Sequence, residues 1–337
     1  LSLNDLPQVK IEAPCAYQPR AATTDKKEIT SLIAFIHIHK TGGTTLQWIL
    51  RSTLGPRYCE VKPLTIPPAF AQTPWLAPAT VADLDYTRAL YPQMEGIGGH
   101  HIQPHMPLHE AYLGLKYFTF MRDPLKMRAS MYQHGINTLG EANCILEEWR
   151  QEEQSQNRQT KMIAGTADVN KAIDIIQQQE IFVGLTERFN ESLLLLKAIV
   201  ENNLNIAYKR MNVAEGDTAA KRLLTSEQGR AMLREGNEAD HALFEFVQQE
   251  WYPRYQQAYG RSLTEDVARY QEKLSQFGHR QVSLAFMSKP RLFKLLLLLD
   301  MEPYNGRNVT LALLKKYLLY RSKIHLDRTL GTPIFAR

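Results

Sequence analysis

Cysteine is scarce in this chain of 337 residues: only Cys15, Cys59 and Cys144, scattered and odd in number. No CxxC or metal-like spacing joins them. That argues against a disulfide scaffold and fits reduced thiols in a cytosolic protein. Long apolar runs are missing too. The most apolar stretch, Leu292 to Leu299, is broken by Lys294 and falls far short of the ~20 residues a spanning helix needs. It reads as a buried helix, and no membrane span is expected. No secretory signal stands at the start, although Leu1 in place of Met leaves open an upstream piece, an anchor included. The net charge is only +5, and no Lys/Arg run interleaves with aromatics. Nucleic acid is therefore not an expected partner, while an anionic ligand or substrate suits the balance. His101, His105 and His109 are spaced by four as on a zinc-binding helix face. Pro104 and Pro107 oppose a regular helix there, no HExxH occurs, and no metal is expected. Two glycosylation sequons, at Asn190 and Asn308, are too common by chance to weigh. No internal repeat is visible.

What is present is ordinary globular composition, with 44% hydrophobic and 22% charged residues, enough for a sizeable core. Residues 1–28 are polar with scattered prolines and read as an extended lead-in. Ser31 to Ile38 is nearly all apolar, as in a parallel strand covered on both faces. Leu46, Ile49, Leu50 and Leu54 then recur at helical spacing. Proline-rich residues 56–92 predict irregular structure with one short strand near Tyr58 to Val61. Further strands are expected at Glu95–Gly99, Lys116–Met121, Glu180–Thr186 and Asn205–Tyr208. Asn190 is a candidate N-cap for the helix ESLLLLKAIV. Ala239–Tyr259 is helical, kinked at Pro253. Strands alternate with helices up to about residue 260, so an α/β fold with a central parallel sheet is expected. Residues 261–337 read as a helical C-terminal extension.

The stretch HKTGGTT follows the first strand and precedes the first helix. A strand, a tight glycine loop and a helix N-terminus together make an anion site, because backbone N–H groups converge and the helix end adds positive potential. Gly42 and Gly43 allow close backbone approach, Thr41, Thr44 and Thr45 offer hydroxyls, and Lys40 brings a full charge. The layout is P-loop-like and three-layered, but the Walker A order is not met, since Lys40 precedes both glycines. An ordinary ATPase or GTPase is disfavoured. A second anchor lies in KYFTFMRDPLKMRASMY. Arg122 sits where strand gives way to helix, and Ser130 follows two helical turns on. Ligands of parallel sheets bind beyond the carboxyl ends of strands, and both anchors fall there. An ordinary Arg122–Asp123 ion pair at a helix start is the structural alternative.

HKTGGTT followed by RDPLKMRASMY resembles the two nucleotide-binding motifs of sulfotransferases that use 3′-phosphoadenosine 5′-phosphosulfate. The resemblance points to the carbohydrate branch, near the heparan sulfate and uronyl 2-O-sulfotransferases and their bacterial relatives. It covers about residues 32–260, so residues 29–260 form the expected sulfotransferase domain. It implies that Lys40, Thr41, Gly42, Gly43, Thr44 and Thr45 hold the 5′-phosphosulfate, that Arg122 and Ser130 hold the 3′-phosphate, and that adenosine 3′,5′-bisphosphate is the product. Where many members carry a further arginine, this chain has Met127, with Arg128 as the nearest substitute. In GIGGHHIQPH, His100 matches the histidine that serves as base in the resembling enzymes, with His101 the runner-up. A second family histidine is replaced by Gly98. Base chemistry fits a histidine, since a neutral alcohol must lose its proton as it attacks. Lys40 is expected to stabilise charge on the departing phosphate. The expected acceptor is a hydroxyl, by resemblance on a saccharide. SQNRQTKMIAG, Ser155 to Gly165, is a candidate lining of the acceptor cleft, and Lys209, Arg210 and Asn212 are candidate nucleotide contacts; a solvated loop and a basic surface cluster explain them equally well. A bacterial cytoplasmic setting is favoured over a Golgi-lumenal fragment, and an oligomer is left open. The competing readings are a nucleotide-dependent phosphotransferase on a related scaffold and a non-catalytic anion-binding protein.

Overall fold

Leu32, Ile33, Ala34, Phe35 and Ile36 are essentially inaccessible to water. This burial on both faces marks the strand that carries them as the centre of the sheet. A computed structural model describes residues 27–140, 143–208 and 218–276. The strands are β1 (Lys27–Ile36), β2 (Tyr58–Glu60), β3 (Gly96–Gly99), β4 (Tyr112–Met121) and β5 (Phe182–Leu185), in the order β2-β3-β1-β4-β5. Every pairing is parallel: Ile33 with Gly96, Ile36 with Thr119, Cys59 with Ile97, and Met121 with Leu185. The α/β architecture with a central parallel sheet is as the alternating pattern implies. β1 begins earlier than its apolar run and ends two residues sooner, where His37 and Ile38 leave the ladder toward the loop. β4 also begins earlier, at Tyr112, because its first residues pair with Lys27 and Glu28 rather than with an apolar neighbour.

The helices in chain order are α1 (Gly43–Leu54), α2 (Val81–Leu90), α3 (Leu108–Ala111), α4 (Pro124–Leu139), α5 (Leu146–Trp149), α6 (Arg158–Ala164), α7 (Val169–Gln178), α8 (Phe189–Ile199), α9 (Ala219–Thr225), α10 (Glu227–Arg234), α11 (Glu238–Phe246), α12 (Tyr252–Tyr259) and α13 (Leu263–Gln276). The face of α1 that carries Leu46, Ile49, Leu50 and Leu54 is buried, as its spacing requires. α4 opens with Pro124 at its first turn, and the Asp123 carboxylate caps it by accepting from Lys126 N at 2.9 Å.

Two local expectations fail for physical reasons. Asn190 does not cap α8; it lies within the first turn, and its Oδ1 accepts from the Tyr208 hydroxyl at 2.7 Å. Residues 205–208 are not a strand, since Asn205 N donates to the Thr53 hydroxyl and Ala207 N to the Asn205 side chain. Near Pro253 the chain passes through a π turn at Val247–Trp251 before α12. That insertion absorbs the donor the proline lacks, as π-bulges do. The predicted lead-in, up to residue 26, and residues 277–337 of the predicted extension lie outside the described residues. The described part of the extension, α13, packs on α8, and its buried Tyr270 donates to Ile206 O at 2.6 Å. Among the described residues no helix is long and apolar enough to cross a membrane.

Candidate active site

The strand order turns at β1: β3 lies on one side and β4 on the other. The crevice beyond the carboxyl ends of these three strands is where a parallel sheet accepts ligands. The loop 37–42, His100 and Arg122 all emerge there. Lys40 adopts φ 61° and Gly42 φ 87°, so two left-handed residues fold the loop tightly before α1. Gly42 O accepts from Thr45 N at 3.0 Å and from Leu46 N at 3.3 Å, starting the helix. The Gly43 and Thr44 amides head that helix with no residue a turn earlier to accept from them, the usual state of a helix N-terminus.

Arg122 meets this loop directly. Its Nη1 donates to Lys40 O at 3.1 Å. Its backbone is gripped by Gln159, whose Oε1 accepts from Arg122 N and whose Nε2 donates to Arg122 O, both at 2.9 Å. Thr186 shares its hydroxyl proton between Thr41 O and Met121 O, tying the loop to the ends of β4 and β5. Burial, and then the Arg122 charge, pulls the Lys40 ammonium below its ordinary value. Neither Lys40 nor Arg122 has a carboxylate within ion-pair distance among the described residues. Glu187 and Asp123 act on Arg122 only from beyond ion-pair distance, so these two adjacent, half-buried cations are incompletely compensated and favour an anion.

Not every residue expected at the nucleotide reaches it. Thr41 is fully buried and its hydroxyl donates to Ile38 O at 2.9 Å, so it supports the loop and is not a free donor. Thr44 is exposed and Thr45 buried. Ser130 makes no side-chain hydrogen bond among the described residues. It shares a face of α4 with His134, four residues on, whose protonation is disfavoured by burial and by the charge of Lys40. The Lys40 charge thus reaches that side of α4. Arg128, the substitute for the missing family arginine, is turned the other way. It is fully buried and donates to Leu233 O, Glu235 O and Arg150 O, with Trp149 beneath it. It pins the ends of α5 and α10 rather than a ligand, and Met127 is core. Lys209, Arg210 and Asn212 lie outside the described residues.

The histidines separate as clearly. His101 Nδ1 bonds the carbonyl of Ala77 at 2.7 Å and is buried, a structural contact. His100 Nδ1 is 2.6 Å from His37 O. A carbonyl only accepts, so in the neutral ring Nδ1 carries the proton and Nε2 is bare. Burial first, then His37, holds His100 well below the usual histidine value. A neutral base with a free nitrogen results. Two further histidines, His37 and His39, stack on it at 4.0 and 3.7 Å between ring centroids. Arg158, at the start of α6 and only 4% exposed, approaches His39 Nδ1 at 3.4 Å. Asp240, wholly buried, holds that helix start by accepting from Gln159 N, Thr160 N and the Thr160 hydroxyl. Among the described residues no group of three or more His, Cys, Asp or Glu is arranged to hold a metal ion; the three histidines meet face to face.

Neither a scan against protein-family models nor a search of curated proteins returns a match. The site therefore rests on its own geometry. Sequence reasoning found Lys40, the diglycine turn, Arg122 and His100, and the fold brings them to one crevice. It missed His37 and His39, whose spacing of two at a strand end puts both side chains on one face. Within the quoted SQNRQTKMIAG segment it did not single out Arg158 or Gln159.

Proposed function

We propose that the protein is a sulfotransferase that moves a sulfuryl group from 3′-phosphoadenosine 5′-phosphosulfate to a hydroxyl, by resemblance on a carbohydrate. The observation that carries this reading is the junction of Lys40 and Arg122. Two anion anchors, with no carboxylate in ion-pair contact among the described residues, meet through the 3.1 Å Arg122–Lys40 bond, beside a neutral His100 at the end of the neighbouring strand. One anchor suits the 5′-phosphosulfate, through Lys40 and the open amides of Gly43 and Thr44. The other suits a 3′-phosphate, through the Arg122 fork and the Ser130 hydroxyl.

In this reading the acceptor oxygen forms its bond to sulfur as the bond from sulfur to the 5′-phosphate oxygen breaks. The acceptor proton passes to Nε2 of His100. Lys40 and the loop amides offset charge growing on the leaving phosphate, by electrostatics already in place. Adenosine 3′,5′-bisphosphate leaves.

The test is thermal stabilisation by ligand. Adenosine 3′,5′-bisphosphate is expected to raise the melting temperature much more than ATP with Mg²⁺. A shift with ATP and Mg²⁺ alone would turn the reading toward a phosphotransferase, and no shift with either would leave a non-catalytic protein.

A further inference from the structure

The three imidazoles at the crevice are ordered in space as they are not in sequence. His100 of the β3 end lies between His37 and His39 of the β1 end, with ring planes 23° and 11° from its own. The outer rings are 6.5 Å apart. Both faces of His100 are thus covered, and its edge is fixed by the bond to His37 O. The outer rings are themselves held. A β-carbon on Gly43 would sit 1.9 Å from the His37 ring, so glycine there makes the room that ring occupies. At the other end Arg158 Nη2 can only donate, which makes His39 Nδ1 the acceptor.

The charges acting directly on the three rings are all cationic. Lys40 follows it in the loop. Arg51 of α1 acts on His37 and is itself paired with Glu60. Arg158 of α6 faces His39 and acts on His100, and His101 beside it is bound to Ala77. Asp240 stands behind Arg158 with its oxygens taken by Gln159 and Thr160. No carboxylate bonds any of the three rings among the described residues.

We propose that His37 and His39 are positioning residues for His100, clamping its ring from both faces so that it stands as a neutral base in one tautomer with Nε2 presented. The catalytic part rests on the sulfuryl-transfer reading; the clamp does not. Burial and the neighbouring cations then act together: a proton on His100 would be trapped between two rings and two guanidinium groups. The ring is left free to accept a proton only in the transition state, while the acceptor oxygen is losing it.

The experiment follows the imidazole nitrogens by NMR in the full chain labelled with ¹⁵N-histidine, with His100 assigned from the spectrum of His100→Gln. In the wild type His100 is expected to stay in one Nδ1–H tautomer, unprotonated from pH 8 to pH 5.5. His39→Asn uncovers one face. His100 should then keep its Nδ1–H bond to His37 O but titrate near the ordinary value of about 6.5, so that about nine-tenths is protonated at pH 5.5. His39→Phe keeps a ring on that face and should restore the wild-type behaviour. Sulfuryl-transfer kcat/KM should match, about tenfold lower at pH 5.5 than at pH 8 for His39→Asn and nearly level for wild type and His39→Phe. Titration of wild-type His100 near 6.5, or an unchanged His100 in His39→Asn, would overturn the clamp. If His39→Asn does not fold, wild type and His39→Phe decide: both neutral at pH 5.5 supports the clamp, and titration in either overturns it. Spectra as expected without any response to adenosine 3′,5′-bisphosphate would support the clamp and overturn the sulfuryl-transfer reading alone.

Discussion

Acidification from pH 7.5 to pH 5.5 should destabilise this fold by about 4 kcal/mol, a large share of the ~5–15 kcal/mol typical of a domain. The perturbation falls on the stacked histidines. Burial, followed by the Arg51 charge, lowers His37 to about 3. Burial holds His39 and His100 well below 6.5, followed by the charge of His100 for His39 and of His37 for His100. Each folded value lies below the unfolded one, so under pH 6.5 the unfolded chain binds more protons. Stability is complete above 6.5 and drains as pH falls toward the folded values, down to about 3 for His37. At pH 5.5 an unfolded histidine is about ten-elevenths protonated, which costs the folded state ~1.4 kcal/mol per ring that must stay neutral. Three rings give the ~4 kcal/mol. His105 adds in the same direction and is discounted for its partial exposure. Asp240 opposes, because burial raises its carboxyl and the folded state then holds that proton more tightly. Urea unfolding at the two pH values, followed by circular dichroism, measures the difference. A change below about 1 kcal/mol, or a gain on acidification, would mean that the rings take up protons without unfolding, and the reasoning from burial would fail.

Three further outcomes are expected. Arg122→Ala should weaken adenosine 3′,5′-bisphosphate by about 10- to 150-fold, the ~1.5–3 kcal/mol of a charge-assisted contact; calorimetry should show a smaller loss for adenosine 5′-monophosphate, and equal losses would confine Arg122 to bracing the Lys40 loop. Arg128→Met should cost about 3–5 kcal/mol in thermal or urea unfolding, because Arg150, Leu233 and Glu235 lose their buried donor together, and a cost under about 1 kcal/mol would contradict that role. Gly43→Ala drives a methyl against the His37 ring. It should cost about 1–3 kcal/mol by overpacking and shift the ring signals of His37 and His100 in the proton NMR spectrum; unchanged signals would show that the ring is not held there.

The sheet was legible because β1 and β4 end in largely apolar runs, Leu32–Ile36 and Tyr117–Met121, each followed by a loop signal, and the glycine loop because a lysine and two glycines sit between strand and helix. His100 and Arg122 could be placed because each follows a strand. His37 and His39 were hidden by the isoleucines between and before them, which made the segment read as one continuous strand up to Ile38. In the fold β1 ends at Ile36 and the histidines belong to the crevice. Arg158 was invisible for another reason. Its segment is polar and reads as solvated, and the start of α6 that carries it is fixed from some eighty residues later, by Asn237 and Asp240 accepting from the amides of Asn157, Gln159 and Thr160. Arg128 does not stand in for the missing family arginine because of helix phase. Met127 and Arg128 project inward, while Ser130 and His134 share the side that the Lys40 charge reaches.

The strand order has a consequence for how the protein comes to exist. Lys40, His100, Arg122 and Arg158 are neighbours only because β1 is inserted between β3 and β4, and every such pairing closes a long loop of chain, which is entropically expensive and slow. No fragment that stops before β4 contains both anion anchors. During synthesis or refolding, the junction of Lys40 and Arg122 should form only with the assembly of the sheet, later than secondary structure, and its appearance would time that step.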